Sequence, residues 1–131
     1  MQRVTAGLLV REGLVLLALR KAGKHMGRKW EFPGGKIHPG ESPEQCLARE
    51  LAEELDIEAR VGELVGAARY RNADVGIDLE ILLYRAEYLS GTFTLLDHEA
   101  LAWVRPEELE SYDLADSDRE LARQALSALG E

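Results

Sequence analysis

The rhythm of apolar and polar residues changes several times along the chain, and each change predicts an element. Residues 3–20 hold two β-rich runs, RVTAGLLVR and LVLLALR, parted by Glu12-Gly13, which suits a two-residue hairpin turn. The stretch KAGKHMGRK that follows has no apolar period and reads as a loop over a site, ahead of a short strand-like WEF. Pro33-Gly34-Gly35 then permits a tight turn or a close backbone approach to a ligand, because glycine carries no Cβ.

At Ser42 the period lengthens. Ser42, Pro43 and Gln45 make a capping-box start with proline at the first helical position, predicting a helix from about Pro43 to Leu55. Leu47, Leu51 and Leu55, with Ala48 and Ala52 beside them, form a stripe that must face a core, and the opposite face is acidic. Beyond Ile57 the strand period returns in VGELVGAARYR and GIDLEILLYRAEYL, where Leu79, Ile81 and Leu83 alternate with other side chains. TFTLL and LAWV read as further short strands. Pro106 opens a short helix, and Ser117 with Glu120 three residues on opens a last amphipathic helix carrying Leu121, Ala125, Leu126 and Leu129. No repeat, low-complexity tract or linker interrupts this order, so a single domain over residues 1–131 is expected, of α+β or α/β/α sandwich type.

Composition narrows the function classes. The chain is 46% apolar, yet no apolar run approaches the ~20 residues of a membrane span, and its first residues lack a secretory pattern. A soluble, cytoplasmic protein with no membrane partner is expected. The single cysteine, Cys46, has no internal disulfide partner and reads as core, and no Cys/His cluster has zinc-site spacing. Twenty-four acidic against 16 basic residues give a net charge of −8, a field that repels nucleic-acid polymers. The same field repels a small phosphate ester, so a phosphorylated substrate would need a cation that the sequence does not supply.

Glu50, Glu53 and Glu54 stand three and four residues apart and cluster on one side of the predicted helix, with Glu41 just ahead of it. Like charges at this spacing destabilise a helix by a few tenths of a kcal/mol per pair, and Arg49 cannot neutralise them all. Oxygen-only ligands suit a hard cation such as Mg²⁺. A Glu-rich helix alone is more often solvated surface, so the residues around it decide.

From Gly35 the chain runs GKIHPGESPEQCLARELAEELDI, which resembles the Nudix box: glycine, five residues, Glu41, seven residues, Arg49-Glu50-Leu51, one residue, Glu53-Glu54, and a closing Ile57. The six Gly, Glu and Arg positions among these match together by chance on the order of 10⁻⁷ per starting point, too rarely to be a rival explanation. One position departs from the family. Asp56 stands where the box usually has a glycine that ends the helix in a left-handed conformation, which Asp tolerates at a small stability cost.

The resemblance spans nearly the whole chain and implies a Nudix α/β/α sandwich with a mixed central β-sheet. It implies hydrolysis of a nucleoside diphosphate linked to another group, with Mg²⁺ or Mn²⁺. Glu50, Glu53, Glu54 and the Gly34 carbonyl then look like metal ligands, Arg49 orients Glu50, and Glu41 acts from behind them or through water. Glu50 is the first choice of base. Glu99, about four residues ahead of Trp103, is the second choice and a further ligand; taken alone it reads equally as an exposed loop glutamate.

The segment RKAGKHMGRKWEFPGGKI is similar to MutT-like triphosphatases, which clear modified nucleotides from the precursor pool, and in that light Arg20 and His25 contact phosphate or nucleotide. YDLADSDRELA falls where MutT-like enzymes keep an Asn or Asp that reads the base edge, which makes Asp118 the candidate; it reads equally as a charge in a helix's first turn. Phe32 either stacks on a base or belongs to the core. The expected activity is conversion of a nucleoside triphosphate to monophosphate and pyrophosphate, on modified or oxidised nucleotides or on (d)CTP. Dinucleoside polyphosphate hydrolases are a rival, with Tyr70 a few residues early for their tyrosine, and ADP-ribose hydrolases another, whose proline is absent from residues 71–74. A catalytically silent nucleotide-binding Nudix module is a third reading; such modules typically lose box glutamates, and all are kept here. A monomer and a homodimer both fit.

Overall fold

Strands β1 (Gln2–Arg11) and β2 (Leu14–Arg20) are joined by Glu12 and Gly13 at φ 51° and 78°, the paired positive φ values that a type I′ turn demands. The computed structural model describes residues 1–24 and 27–130. β1 is shared among neighbours. Its residues 2–9 run parallel to β6 (Ile77–Ser90), residues 4–6 pair antiparallel with β4 (Gly34–Lys36), and Val10 and Arg11 pair with β2. β2 pairs in turn with β3 (Trp30–Glu31) and β7 (His98–Val104), while β5 (Glu58–Asn72) lies antiparallel to β6. The result is a mixed seven-stranded sheet.

Strand alternation sends successive side chains to opposite faces, and one helix covers each face. Helix α1 (Pro43–Leu55) buries Leu47, Leu51 and Leu55 against Leu9, Leu16 and Leu82. Helix α2 (Asp116–Ala128) buries Leu121, Ala122 and Ala125 against Leu8, Leu17 and Leu83. Each fully buried leucine contributes about 1.5–3 kcal/mol, so these stripes hold the helices in place. This is the expected α/β/α sandwich.

The ends of α1 decide where its acidic face sits. The Ser42 hydroxyl accepts from the Gln45 N–H at 3.0 Å and the Gln45 side chain accepts from the Ser42 N–H at 2.9 Å, closing the capping box. At the other end Asp56 is left-handed, φ 59° and ψ 38°. TFTLL, expected as a strand, is irregular. Its amides are spent on the helix end instead: Thr94 N–H donates to the Leu55 carbonyl at 2.9 Å and Leu96 N–H to that of Glu54 at 3.1 Å. Phe93 stacks on Tyr88 and meets Trp103 edge-on.

α2 begins differently from the expected capping box. Its N-cap is Ala115, with no side-chain cap; Ser117 lies inside the first turn and donates to Asp118 Oδ2 at 3.1 Å, while Glu120 pairs with Arg123. The register comes from outside the helix, where Trp30 of β3 takes a bond from Ala115 N–H and gives one to the Asp113 carbonyl, both at 2.9 Å. Cys46 is buried, its sulfur 3.3 Å from Thr5 Oγ1, and burial pushes its thiol pKa up. Among the described residues no helix is long and apolar enough to cross a membrane.

Candidate active site

A cleft of about 580 Å³ opens where α1, the β4 turn and the start of α2 converge. Val4, Ala6, Ile77, Leu79 and Ile81 give it an apolar wall; Arg20, Glu31, Lys36, Glu50, Glu54, Asp97 and Asp118 give it charge. Such a mixture of apolar surface and a few convergent polar groups is what a small-molecule site requires.

At one end the backbone of the Gly34-Gly35 turn lies against α1. A Cβ on Gly34 would strike the Thr5 carbonyl, and one on Gly35 would strike the Glu50 carboxylate. Glycine is needed at both, so that backbone and carboxylate share one space. Glu50 and Glu54, one helical turn apart, line the cleft together with Gly34. Glu54 is buried, and its Oε1 has no hydrogen-bond partner. Burial first, then the charges of Glu31, Glu50 and Asp97, hold its pKa far above the usual carboxylate range. A buried acid beside a second carboxylate, with one oxygen left without a partner, takes up either a proton or a cation, so this donor set fits a hard cation.

Arg49 organises the same face from behind. Its Nε and Nη2 donate to the two Glu41 oxygens at 2.7 and 3.0 Å, and its Nη1 to Glu50 Oε1 at 2.8 Å and Glu53 Oε2 at 3.1 Å. The fork holds the Glu41 carboxyl down at about 2, aided by the His38 N–H. Neither Glu41, Arg49 nor Glu53 lines the cleft, and the Glu53 side chain is 58% exposed. Among the described residues no three His, Cys, Asp or Glu side chains are already gathered as a metal cage. Glu53 could join a cation at Glu50 and Glu54 only by leaving Arg49.

Glu99 is not brought to this cluster. Leu19 pairs with Ala100 but Arg20 pairs with His98, so Glu99 is the extra residue of a β-bulge at the start of β7. Its carboxylate takes the Arg28 guanidinium and the Ala22 N–H, outside the cleft. In a regular strand Glu99 would share a face with Leu101 and Trp103; the bulge breaks that alternation. The carboxylate that does line the cleft is Asp97, which also pairs with Lys24 at 3.1 Å. Counting back from Trp103 missed it, and no signal in the sequence marks the bulge.

The other end of the cleft is set by α2. Asp118 is buried and its Oδ1 accepts from the Phe32 N–H at 3.0 Å. Burial, then the charge of Glu31, raises its carboxyl to about 7. Phe32 is 3% exposed and packs in the α2-side core while bordering the cleft, so the core reading fits it. Arg20 lines the cleft and donates to Glu31 at 3.0 Å. Glu31, which the sequence reading did not single out, also meets His98 at 2.9 Å. His25 lies outside the described residues. Tyr70 packs against the α2-side core and accepts from Asn72 at 3.5 Å.

Known proteins resemble the chain in sequence and in fold. The chain is 42% identical over 118 residues to the CTP pyrophosphohydrolase of Escherichia coli strain K12, covering 90% of this chain and 86% of that one. It is 40% identical over 123 residues to the putative 8-oxo-dGTP diphosphatase 2 of Mycobacterium tuberculosis strain H37Rv, covering 90% and 83%. The solution structure of the E. coli ORF135 protein superposes with a TM-score of 0.86 at 40% identity, over 99% of this chain and 91% of that one. The NUDIX domain pattern matches residues 1–125, and with Glu50 and Glu54 of the box set along the cleft the chain belongs to the NUDIX domain family of hydrolases.

Proposed function

We propose that the protein is a Mg²⁺-dependent nucleoside triphosphate pyrophosphohydrolase, releasing monophosphate and pyrophosphate from modified or oxidised nucleotides or from (d)CTP, with Mn²⁺ able to substitute. The observation that carries this reading is one cleft with a buried Glu54, its Oε1 without a hydrogen-bond partner, beside Glu50 and Gly34 at one end and a buried Asp118 at the other. A triphosphate chain with its metal suits the first end and a base edge the second. The names of the E. coli and M. tuberculosis relatives, CTP pyrophosphohydrolase and 8-oxo-dGTP diphosphatase, point to nucleoside triphosphates and support the same substrate class.

Glu50, Glu54 and the Gly34 carbonyl would hold the metal, with Glu53 joining them. Bound there, the metal polarises phosphate oxygens and acidifies water. Glu50, oriented by Arg49, would take a proton from the attacking water, and Asp97 lines the cleft where Glu99 was expected to serve. Arg20 and Lys36 put positive charge on the cleft wall for phosphate oxygens. Asp118, with its carboxyl near 7, can accept from an exocyclic amine when ionised or donate when protonated. Glu41 keeps Arg49 in place. Such a role suits a cytoplasmic enzyme acting on small nucleotides.

The test is a turnover panel with Mg²⁺ over canonical, methylated and oxidised triphosphates, ADP-ribose and diadenosine polyphosphates. Monophosphate plus pyrophosphate from one triphosphate class supports the proposal. Preferential cleavage of ADP-ribose or dinucleotides refutes the substrate class, and nucleotide binding without turnover supports a silent module instead.

A further inference from the structure

We propose that His98 is a positioning residue for the substrate cleft, holding Glu31, and through it Arg20, from behind the cleft wall; this rests on the nucleotide-hydrolase reading above. Arg20, Glu31 and His98 come from three neighbouring strands, β2, β3 and β7. Arg20 and Glu31 line the cleft, and His98 does not. The imidazole Nε2 meets Glu31 Oε2 at 2.9 Å, and the other Glu31 oxygen accepts from Arg20 Nη1 at 3.0 Å. With both oxygens engaged, the Glu31 carboxylate is fixed in rotation, and the guanidinium it holds is fixed with it.

Two features argue that His98 is more than filler. It is 4% exposed, and its Nδ1 is buried without a partner. An apolar residue would occupy that volume without the cost of an unpaired nitrogen, so the Nε2 bond is what the position provides. The bulge at Glu99 is the second feature. Continued in register from Leu19–Ala100, the ladder would set Glu99 opposite Arg20; the bulge sets His98 there. It thereby delivers a donor, rather than a second carboxylate, to Glu31. Glu31 is the cleft residue whose charge acts on both Glu54 and Asp118, so its orientation matters at both ends.

The experiment compares kcat and KM for the best triphosphate at saturating Mg²⁺ in wild type, His98→Gln and His98→Leu, at a temperature where all three are folded by circular dichroism. Glutamine places an amide N–H near the position of Nε2 and leucine places none. The expected result is a KM raised about tenfold in His98→Leu with kcat changed less than about threefold, and a KM within about threefold of wild type in His98→Gln. Glu31→Gln weakens the same link without emptying the core and keeps the inference testable if His98→Leu does not fold. It should raise KM comparably, and adding His98→Leu to it should raise KM little further. An unchanged KM in His98→Leu and Glu31→Gln overturns the inference, as does a glutamine variant as impaired as the leucine one, or a loss confined to kcat. A wild type that turns over no triphosphate refutes the substrate reading and this inference with it, an outcome distinct from the others.

Discussion

Helix α1 and the start of strand β7 both bring carboxylates to the cleft, by opposite means. α1 is regular from its capping box to Asp56, so a four-residue spacing is enough to set Glu50 and Glu54 along one wall. β7 opens on a bulge, so spacing from Trp103 selects Glu99, which faces Arg28, while Asp97 faces the cleft. A helix transmits sequence spacing into space; a bulged strand end resets it. Glu54 on the regular element is buried with its Oε1 unpartnered, while Asp97 at the irregular end is paired with Lys24.

The largest effect is expected on the regular element. Glu54→Gln should lower kcat by about 10³-fold, the several kcal/mol that metal polarisation supplies, with the circular dichroism spectrum unchanged. A smaller loss would mean that Glu54 is only a buried acid.

The bulge gives the sharpest contrast. Asp97→Asn should lower kcat about 10²-fold, within the range of a lost acid–base group, and Glu99→Gln should change it less than about threefold. The reverse ranking, measured under identical Mg²⁺, would show that Glu99 leaves Arg28 during turnover and that the bulge does not decide the roles.

Asp118 tests the far end of the cleft through pH. Its carboxyl titrates near 7 folded against 3.8 as a free side chain, so the folded state retains the proton across that window. Stability from this group is therefore full below about pH 3.8 and lost as pH rises to about 7. Denaturant melts should show wild type losing about 2 kcal/mol more than Asp118→Asn between about pH 5.5 and 8. Parallel pH profiles would mean that Asp118 is ionised throughout.

The smallest effect is at the end of α1. Asp56→Gly relieves a left-handed residue at φ 59° and should raise the melting temperature by about 2–4 °C, worth up to about 1 kcal/mol, with activity unchanged.

What the sequence made legible follows the same division. The hairpin at Glu12-Gly13, the capping box at Ser42 and the leucine stripe of α1 are local patterns, and local patterns set those elements. Asp118 at the mouth of α2 was legible as a position from the family resemblance, and its bond to the Phe32 N–H emerges only when β3 and α2 meet. TFTLL has strand-like residues but serves as a cap for α1, because its amides meet open carbonyls at Leu55 and Glu54. Ser117 resembles a cap, yet Trp30 of β3 sets the helix start two residues earlier, at Ala115. Glu31 and His98 were invisible because they are 67 residues apart in the chain and nothing in either neighbourhood refers to the other.

The central claim is that Glu54 and Glu50 form a divalent-cation site at the head of the cleft. Titration of Mn²⁺ followed by electron paramagnetic resonance, in wild type, Glu54→Gln and Glu99→Gln, addresses it without turnover. The account predicts stoichiometric binding in wild type, at least about a tenfold weaker Kd in Glu54→Gln, and an unaltered Kd in Glu99→Gln. Equal Mn²⁺ affinity in wild type and Glu54→Gln would contradict it.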